Sequence, residues 1–322
     1  MSAGSRPGGE PPADPRPPVG RWQVGPAEGG TRLDAFLARV LGISRANARR
    51  TLSSGAVTWR GRRADLSAKG APLQEGDAVE VAEVVDPARA HPVADPAAPL
   101  AVLAEGEGWL AVDKPAGTPV HPLSPDERGT LLNALAARQP GIVGVGEGGL
   151  RSGVVHRLDV ETSGVMLFAT AEGPWQRLRE AFRRHQVEKV YWALARGRLE
   201  GQSDLELQLA VTQHRPARVR VVSPDDAQPG RGRPTRLAWR SLAVGDDASL
   251  IEVRPATGFL HQIRASLAHL GHPLYGDRAY GGPEHPLAPR HLLHARMLRW
   301  REVEATCEPP EDFARARDAL IG

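Results

Sequence analysis

The sequence predicts an α+β protein with two folded units, a small N-terminal α/β domain and a larger domain of mixed helices and strands. The chain has 322 residues, more than the roughly 100–200 residues of a typical single domain. Beyond Leu100, strand-like runs such as LAVLAE and WLAVDKP alternate with helical runs such as TLLNALAARQ and PWQRLREAFRRHQ. This alternation predicts a domain in which helices pack against a sheet.

The predicted order along the chain has five segments. Residues 1–20, rich in Pro, Gly and charge, are expected to form a disordered tail, and residues 21–85 form the small domain. The segment DPARAHPVADPAAP has no apolar period, which predicts a linker over residues 86–99. Residues 100–305 form the large domain. Residues 306–322 are expected to form a C-terminal tail or helix.

The composition is that of a globular protein, with 41% hydrophobic and 25% charged residues. No apolar run approaches the roughly 18 residues that cross a membrane, and the N-terminus lacks the apolar core of a secretory signal. The single cysteine, Cys307, excludes an intramolecular disulfide and a cysteine-cluster metal site. We therefore expect a cytoplasmic location and no membrane partner. A monomer is the expected state.

Two helices and two strands are predicted in the small domain. Apolar residues recur at helical spacing at Leu33, Phe36, Leu37, Val40 and Leu41. Ser44 is suited to cap a second helix that runs through Leu52, and Gly55 is suited to end it. Short strands are predicted in AVTWRG and GDAVEVAEV.

The small domain carries a concentrated positive charge. Between Arg32 and Arg63 the chain has eight arginines and only one carboxylate, Asp34. Arg45 and Arg49 are four residues apart and therefore share one side of the second helix. We predict that RNA phosphates bind here, at Arg32, Arg45, Arg49 and Arg50. The alternative is a helix face that is merely solvated.

Four short motifs follow one another within Arg32–Val81. They are an RLD-x-FL helix, a second helix that begins with SR, a G-x-V strand and a closing GD-x-V strand. In this order they resemble the small RNA-binding domain first described in a ribosomal small-subunit protein. Arg60 stands where that family has Asn before a glycine. The resemblance implies that the domain binds RNA.

The large domain contains five longer motifs. In order, they are DKPAGTPVHP, VVHRLDVETSGVMLFA, EKVYWALARG, ATGFLHQIRASLAHLGHPLYGDRAYGG and RHLLHARML. An isolated HRLD could be a surface ion pair, but the ordered set resembles the RluA-type family of RNA pseudouridine synthases from about Leu100 to Trp300. The resemblance implies the pseudouridine synthase fold, with a mixed, mainly antiparallel central sheet and a catalytic cleft. It also implies an isomerase that acts on uridines in structured RNA.

The same resemblance implies the site residues. Asp159 in HRLD is expected to be the catalytic carboxylate, and Arg264 in HQIR is expected to form an ion pair with it. Tyr191 is expected to stack on the base and to remove a proton, although a core tyrosine on the strand VYWAL is the structural alternative. Arg157 is expected to fill the space left by the flipped uridine, with a structural salt bridge as its alternative role.

Those assignments agree with the chemistry of the reaction. Conversion of uridine to pseudouridine involves no net redox change and no energy input, so we expect no cofactor. A carboxylate beside the anomeric carbon can stabilise positive charge, act as a nucleophile or take a proton from the neighbouring sugar carbon, and the sequence leaves all three open. Each use requires an ionised Asp159, which an adjacent guanidinium favours.

Two residues depart from the family pattern. Phe259 replaces a basic residue and Ser266 replaces a His, and both are expected to flank the pocket. A zinc alternative rests on the five histidines of the later motifs, but no carboxylate or cysteine stands beside them at ligand spacing. We therefore expect no metal. The five are His261, His269, His272, His291 and His294.

Two other classes of protein remain as alternatives. One is a non-catalytic RNA-binding protein that retains the fold and helps ribosome assembly. The other is a hydrolase that uses Asp159 and Glu161, at alternate positions on a strand, as paired carboxylates. The products distinguish the three classes: none, free uracil or pseudouridine. Within the RluA-type family, an appended RNA-binding domain implies large-subunit ribosomal RNA as the substrate.

Overall fold

The residues that the computed structural model describes are 19–85, 90–214, 216–222 and 232–322. The chain divides into two compact units, Met1–Ala90 and His91–Gly322. Residues 1–18 of the predicted tail and residues 86–89 of the predicted linker lie outside the described residues.

The small unit combines two helices with a four-stranded antiparallel sheet. Its strands are β1 Gly20–Gln23, β2 Val57–Trp59, β3 Arg62–Ala64 and β4 Ala78–Val81, in the order β1-β4-β2-β3. The helices are α1 Leu33–Val40 and α2 Arg45–Ser54. Ser44 caps α2 by accepting a hydrogen bond from the Asn47 N–H at 3.2 Å, and Gly55 ends the helix with a φ of +75°. Both termini are where the sequence predicts them.

The core of the small unit lies between α1, α2 and the sheet. Leu33, Phe36 and Leu37 of α1 are fully buried and pack with Leu52 of α2 and Val79 of β4. The helical period of the apolar residues therefore predicted the buried face of α1 correctly.

The large unit is built on one ten-stranded sheet. The order is β10-β9-β11-β12-β8-β13-β7-β6-β5, with β14 paired to β13. All of these pairings are antiparallel except that between β13 and β7, so the predicted mixed, mainly antiparallel sheet is confirmed. The strands are β5 Ala101–Gly106, β6 Trp109–Lys114, β7 Ser163–Ala169, β8 Glu188–Arg196, β9 Gln202–His214, β10 Ala217–Val221, β11 Arg233–Val244, β12 Ala248–Pro255, β13 Leu293–Trp300 and β14 Val303–Thr306.

The parallel junction of β7 and β13 depends on Gly164. This residue pairs with Ala295 and has a φ of +113°. A Cβ at position 164 would lie 2.2 Å from the carbonyl O of Ala295, which is too close for any side chain. The glycine of the TSG sequence therefore lets the start of β7 approach β13 closely, and the loop before β7 is fixed beside that strand.

The described residues of the large unit also form four α-helices. They are α3 Leu131–Arg138, α4 Glu172–Arg183, α5 Gln262–His269 and α6 Glu311–Ile321. Phe313 of α6 is fully buried against Leu194 and Leu250 of the sheet, so the C-terminal segment belongs to the core of this unit. In the described part of the chain, no helix is both long enough and apolar enough to cross a membrane.

Candidate active site

The loop that carries Asp159 precedes β7 and is anchored through its backbone. Lys114, at the end of β6, is fully buried, and its Nζ donates to the carbonyl O of Val160 at 2.6 Å. Arg290 Nη1 donates to the carbonyl O of Glu161 at 2.9 Å. Asp159 and Glu161 therefore lie in a loop that is held from two sides. The assumption that they occupy alternate positions on a strand was wrong.

Asp159 and Arg264 meet although they are 105 residues apart in the sequence. Arg264 Nη1 donates to Asp159 Oδ2 at 3.0 Å. The Nε and Nη2 atoms of Arg264 each donate to one oxygen of Asp277 at 2.7 Å. Arg264 and Asp277 are 7% and 1% exposed. The guanidinium is thus fixed by Asp277 and presents its remaining edge to Asp159.

Asp277 was missed as a site residue in the sequence analysis. It lies in the YGDRAYGG sequence, inside a motif that supported the family resemblance. An acidic residue within that motif was the available signal. Its partner could not be inferred, because bidentate pairing with Arg264 depends on how the chain turns after α5.

Tyr191 lies on β8, opposite Val253 of β12 and Ala295 of β13. It lines the same cleft as Asp159 and Arg264. Burial, together with the negative charge of Asp159, raises the pKa of the Tyr191 hydroxyl well above its ordinary value. The hydroxyl is therefore protonated at neutral pH, and a role in proton removal requires a change in its surroundings when substrate binds.

A cleft of about 1020 Å³ contains Asp159, Tyr191 and Arg264. This volume is at the upper end of the range of about 300–1,000 Å³ that is usual for ligand pockets, so it accommodates a nucleotide. Cationic side chains on several elements suit the cleft to a polyanion. They are Arg151, Arg157, Arg179, Arg183, Lys189 and Arg233.

The first two residues of HRLD have different environments. His156 Nε2 accepts a hydrogen bond from the Leu167 N–H at 3.0 Å, and its ring stacks on Phe182. Burial lowers the pKa of His156 to about 3, so this histidine is neutral and structural. Arg157 is exposed at the cleft. It makes no hydrogen bond or ion pair with any residue that the structure describes.

The two departures from the family pattern lie in different places. Phe259 lines the cleft. Ser266 is 1% exposed within α5 and is not among the residues that line the cleft. The expectation that both residues flank the pocket was therefore wrong for Ser266.

The histidines of the zinc alternative make separate contacts. His291 Nε2 is 2.9 Å from Thr162 Oγ1, and His294 Nδ1 is 3.0 Å from Ser163 Oγ. Over residues 19–85, 90–214, 216–222 and 232–322, no group of three or more His, Cys, Asp or Glu side chains is arranged to hold a metal ion.

In the small unit, three of the predicted RNA-binding arginines converge on Asp34. This carboxylate is fully buried and accepts hydrogen bonds from Arg32 and Arg45 at 3.1 Å and from Arg49 at 2.8 Å. Burial alone would raise the pKa of Asp34, but the three guanidiniums lower it well below its ordinary value. The three arginine side chains remain 43–52% exposed. Arg50, on the same helix, is exposed.

Two lysines, the fully buried Lys114 and the half-buried Lys189, make the stability of the large unit dependent on pH. The chain has three lysines, and burial lowers the pKa of both Lys114 and Lys189 from 10.5 to about 8. Between pH 8 and 10.5 these two lysines bind more protons in the unfolded chain than in the folded one, so they contribute a rise in the free energy of unfolding with pH across this window. Urea denaturation at pH 7.5 and 9.5 measures the rise.

The exposed Lys69 supplies the control for this measurement. Lys114→Met and Lys189→Met should each reduce the rise, whereas Lys69→Met should leave it unchanged. Equal rises in all three variants would contradict the assignment of the pH dependence to Lys114 and Lys189.

Comparisons with known proteins identify the family. A family model described as RNA pseudouridylate synthase matches residues 108–269. An "Uncharacterized RNA pseudouridine synthase" of Chloroflexus aurantiacus is 36% identical over 301 residues, which is 88% of each chain. "Ribosomal large subunit pseudouridine synthase D" of Xanthomonas campestris is 33% identical over 311 residues, covering 90% of this chain and 89% of the relative.

A solved structure shares the fold. "Human RNA Pseudouridylate Synthase Domain Containing 1" has a TM-score of 0.54 and 25% sequence identity, and the match covers 69% of this chain and 87% of that one. The family model spans Asp159, Tyr191 and Arg264, the three residues that the fold brings to one cleft. The chain therefore belongs to the RNA pseudouridine synthases, which are isomerases.

Proposed function

We propose that this enzyme converts specific uridines of large-subunit ribosomal RNA to pseudouridine, with Asp159 as its catalytic carboxylate. The observation that carries the proposal is the ion pair of Asp159 with Arg264 in a cleft lined by Tyr191 and by cationic side chains. The ribosomal target is supported by the Xanthomonas relative, whose name specifies the large ribosomal subunit.

The reaction is an internal transfer of the base. The bond between the base nitrogen and the anomeric carbon breaks, uracil turns within the site, and its carbon five joins the same sugar carbon. Carbon five then loses a proton and the freed nitrogen gains one, so atoms and electrons balance. Asp159 can assist as a charge stabiliser, a nucleophile or a base for the sugar, and the hydrogen bond from Arg264 orients its carboxylate in each case.

Tyr191 contributes an aromatic face and a protonated hydroxyl. Its ring is able to stack on the turning uracil, because every base has a π-face. The hydroxyl donates a hydrogen bond to the base in this protonation state, and transfer of the carbon-five proton to its oxygen requires prior loss of its own proton.

Arg157 is the residue that we assign to extrusion of the uridine. A base must leave its stack before Asp159 reaches the sugar, and extrusion costs on the order of a few kcal/mol. Arg157 is exposed and lines the cleft two residues before Asp159. It is therefore able to enter the gap in the RNA while the carboxylate meets the ribose.

The Asp34-centred cluster of Arg32, Arg45 and Arg49 is proposed to bind RNA phosphates. Asp34 fixes the three guanidiniums while their outer faces stay exposed. A preformed group of three cations around one anion keeps a net positive charge, and less side-chain entropy is lost when a phosphate binds.

Substitution of both Arg45 and Arg49 by Gln is expected to weaken RNA binding and flatten its salt dependence. Each lost phosphate contact reduces the slope of log affinity against log salt by about 0.7–0.9, so the double variant should lose roughly 1.4–1.8. Filter binding of a ribosomal RNA fragment between 50 and 200 mM salt measures the slope.

A matched control removes the same charge elsewhere. Arg315 and Arg317 lie on α6, outside the residues that line the cleft, and Arg315→Gln with Arg317→Gln should leave the slope unchanged. Thermal melting verifies that the small unit remains folded in the Arg45 and Arg49 variant. An unchanged slope in that folded variant would show that the cluster is only a solvated face.

The proposed function is tested by the product and by its location. Purified enzyme is incubated with large-subunit and small-subunit ribosomal RNA, and pseudouridine is mapped at nucleotide resolution. Cellular RNA is mapped in parallel with and without the gene. We expect new pseudouridine in the large-subunit RNA and its loss from the same position in cells without the gene.

Three other outcomes would contradict the proposal at different levels. Pseudouridine confined to another RNA would overturn the target and retain the reaction. Release of free uracil would indicate the hydrolase alternative. Tight RNA binding without any product, on substrates taken from cells without the gene, would favour a non-catalytic assembly protein.

A further inference from the structure

We propose that His261 is a positioning residue that shares with Arg264 the task of holding Oδ2 of Asp159, so that Oδ1 is the oxygen that meets the ribose. The inference rests on the proposed role of Asp159 as the catalytic carboxylate. It adds a residue that sequence reasoning considered only as a zinc ligand.

The geometry places His261 and Arg264 on the same oxygen. His261 immediately precedes α5, and Arg264 follows three residues later in the first turn of that helix. Arg264 Nη1 is 3.0 Å from Asp159 Oδ2, and His261 Nε2 is 3.6 Å from the same atom. Oδ1 accepts no hydrogen bond from any described residue. A contact of 3.6 Å is longer than a hydrogen bond, and such contacts commonly tighten when a substrate binds.

A second contact favours Nε2 as the ring nitrogen that carries the proton and donates to Asp159. The Val219 N–H on β10 donates to the Tyr280 hydroxyl oxygen at 3.0 Å, and that oxygen is 2.9 Å from His261 Nδ1. Because Val219 supplies a proton to the oxygen, the Tyr280 O–H is free to donate to Nδ1. The proton of the neutral imidazole then sits on Nε2, which points at a carboxylate oxygen.

The surrounding charges agree with a neutral donor. The groups that face His261 are the carboxylates of Asp159 and Asp277, the guanidinium of Arg264, the Tyr280 hydroxyl and the ring of His291. Burial lowers the pKa of His261, and the charge of Arg264 lowers it further, against the opposing effect of the two carboxylates. A neutral imidazole therefore orients Asp159 through one N–H.

The backbone of His261 is also held in an uncommon conformation. Its φ of +51° and ψ of 20° lie in the left-handed region, which residues other than Gly, Asn and Asp seldom adopt. Such strain persists where the surrounding structure determines it, and it is frequent at functional sites. The ring that this backbone carries lies beside Asp159.

Two substitutions separate the roles of the ring nitrogens. Gln can place an N–H near the position of Nε2, and Asn can place one near Nδ1. His261→Gln therefore keeps a donor for Asp159, whereas His261→Asn keeps only a partner for Tyr280. We expect kcat to fall by about 10- to 100-fold in His261→Asn, as for a carboxylate displaced by a fraction of an ångström, and by less than about fivefold in His261→Gln. KM for RNA should stay within about twofold in both.

Stability is expected to follow the opposite order. Asn tolerates the left-handed region better than Gln, so His261→Asn should melt at the same temperature as His261→Gln or higher. A lower kcat in the more stable variant is a result that a merely structural role does not give. Tyr280→Phe should lower kcat less than His261→Asn, because it removes the hydroxyl that binds Nδ1 and the Val219 N–H but leaves the imidazole beside Asp159 in place.

The inference is overturned if kcat follows stability, if both His261 variants lose activity equally, or if both match the wild type. Failure of the proposed function gives a different result. In that case Asp159→Asn, assayed in parallel, would retain activity, or the wild-type enzyme would release uracil.

Discussion

Replacement of Asp159 by Asn is expected to lower kcat for pseudouridine formation by more than about a thousandfold, equivalent to roughly 4 kcal/mol of barrier height. The substitution removes the negative charge and leaves the shape of the side chain almost unchanged. Arg264 remains bound to both oxygens of Asp277, so the fold and RNA affinity should change little. Single-turnover conversion of RNA by excess enzyme measures the rate, and filter binding measures the affinity.

Glu161 supplies the matched control. It is exposed, it lies two residues after Asp159, and its backbone carbonyl, not its side chain, binds Arg290. Glu161→Gln should therefore react at the wild-type rate. Substantial turnover by Asp159→Asn would exclude the assigned carboxylate. An equal loss in Glu161→Gln, with release of uracil, would point to paired carboxylates instead.

Replacement of Asp277 by Asn is expected to affect both stability and rate. Removing the carboxylate that binds two edges of a buried guanidinium leaves Arg264 with its single contact to Asp159, so the free energy of unfolding should fall by about 1 to 3 kcal/mol. Arg264 also loses the carboxylate that fixes its plane, and kcat should fall by about a hundredfold because Asp159 is then misplaced. Urea denaturation and kcat below the unfolding transition measure the two effects separately.

Asp77 in the small unit serves as the comparison. It accepts a similar pair of hydrogen bonds from Arg60, at 2.7 and 3.0 Å. Arg60 is 44% exposed, so Asp77→Asn should destabilise the chain less. The Asp77→Asn variant should have the same kcat as the wild type at saturating RNA. If Asp277→Asn also kept the wild-type kcat, Arg264 would not depend on Asp277 for its position.

The sequence was sufficient where structure is set by near neighbours. The apolar spacing in TRLDAFLARV predicted α1, and Ser44 and Gly55 predicted the ends of α2. The strand-like runs LAVLAE and WLAVDKP coincide with β5 and β6 of the sheet. Such features depend on residues within a few positions of one another, so a single sequence contains the information.

The sequence was insufficient where contacts join distant segments. Lys114 binds a carbonyl 46 residues away, and Arg290 binds one 129 residues away. Neither contact produces a recognisable sequence pattern. A side chain that binds a backbone carbonyl does not restrict which residue supplies that carbonyl, because every residue has one. His261 was considered only within the zinc alternative, which was set aside, because its contact with Asp159 depends on the tertiary fold.

Charge counting gave an incomplete description of the small unit. It identified the excess of arginines and treated Asp34 as a single opposing charge. The structure shows that Asp34 is fully buried and binds Arg32, Arg45 and Arg49 together. A sum of charges counts each carboxylate as −1. It therefore cannot distinguish a carboxylate that binds three arginines from one that neutralises a single neighbour.

The structure holds some residues of the loop before β7 more firmly than others. This difference determines which side chain loses conformational entropy when substrate binds. The carbonyls of Val160 and Glu161 are anchored, whereas the Arg157 side chain has no hydrogen-bond or ion-pair partner among the described residues. Immobilising one long side chain costs about 0.5–1.5 kcal/mol, and Asp159 requires little further ordering. Arg157, the residue assigned to base extrusion, therefore loses most conformational freedom on binding. Substitutions at Arg157 should change the rate of extrusion and leave the rate of the subsequent bond cleavage unchanged.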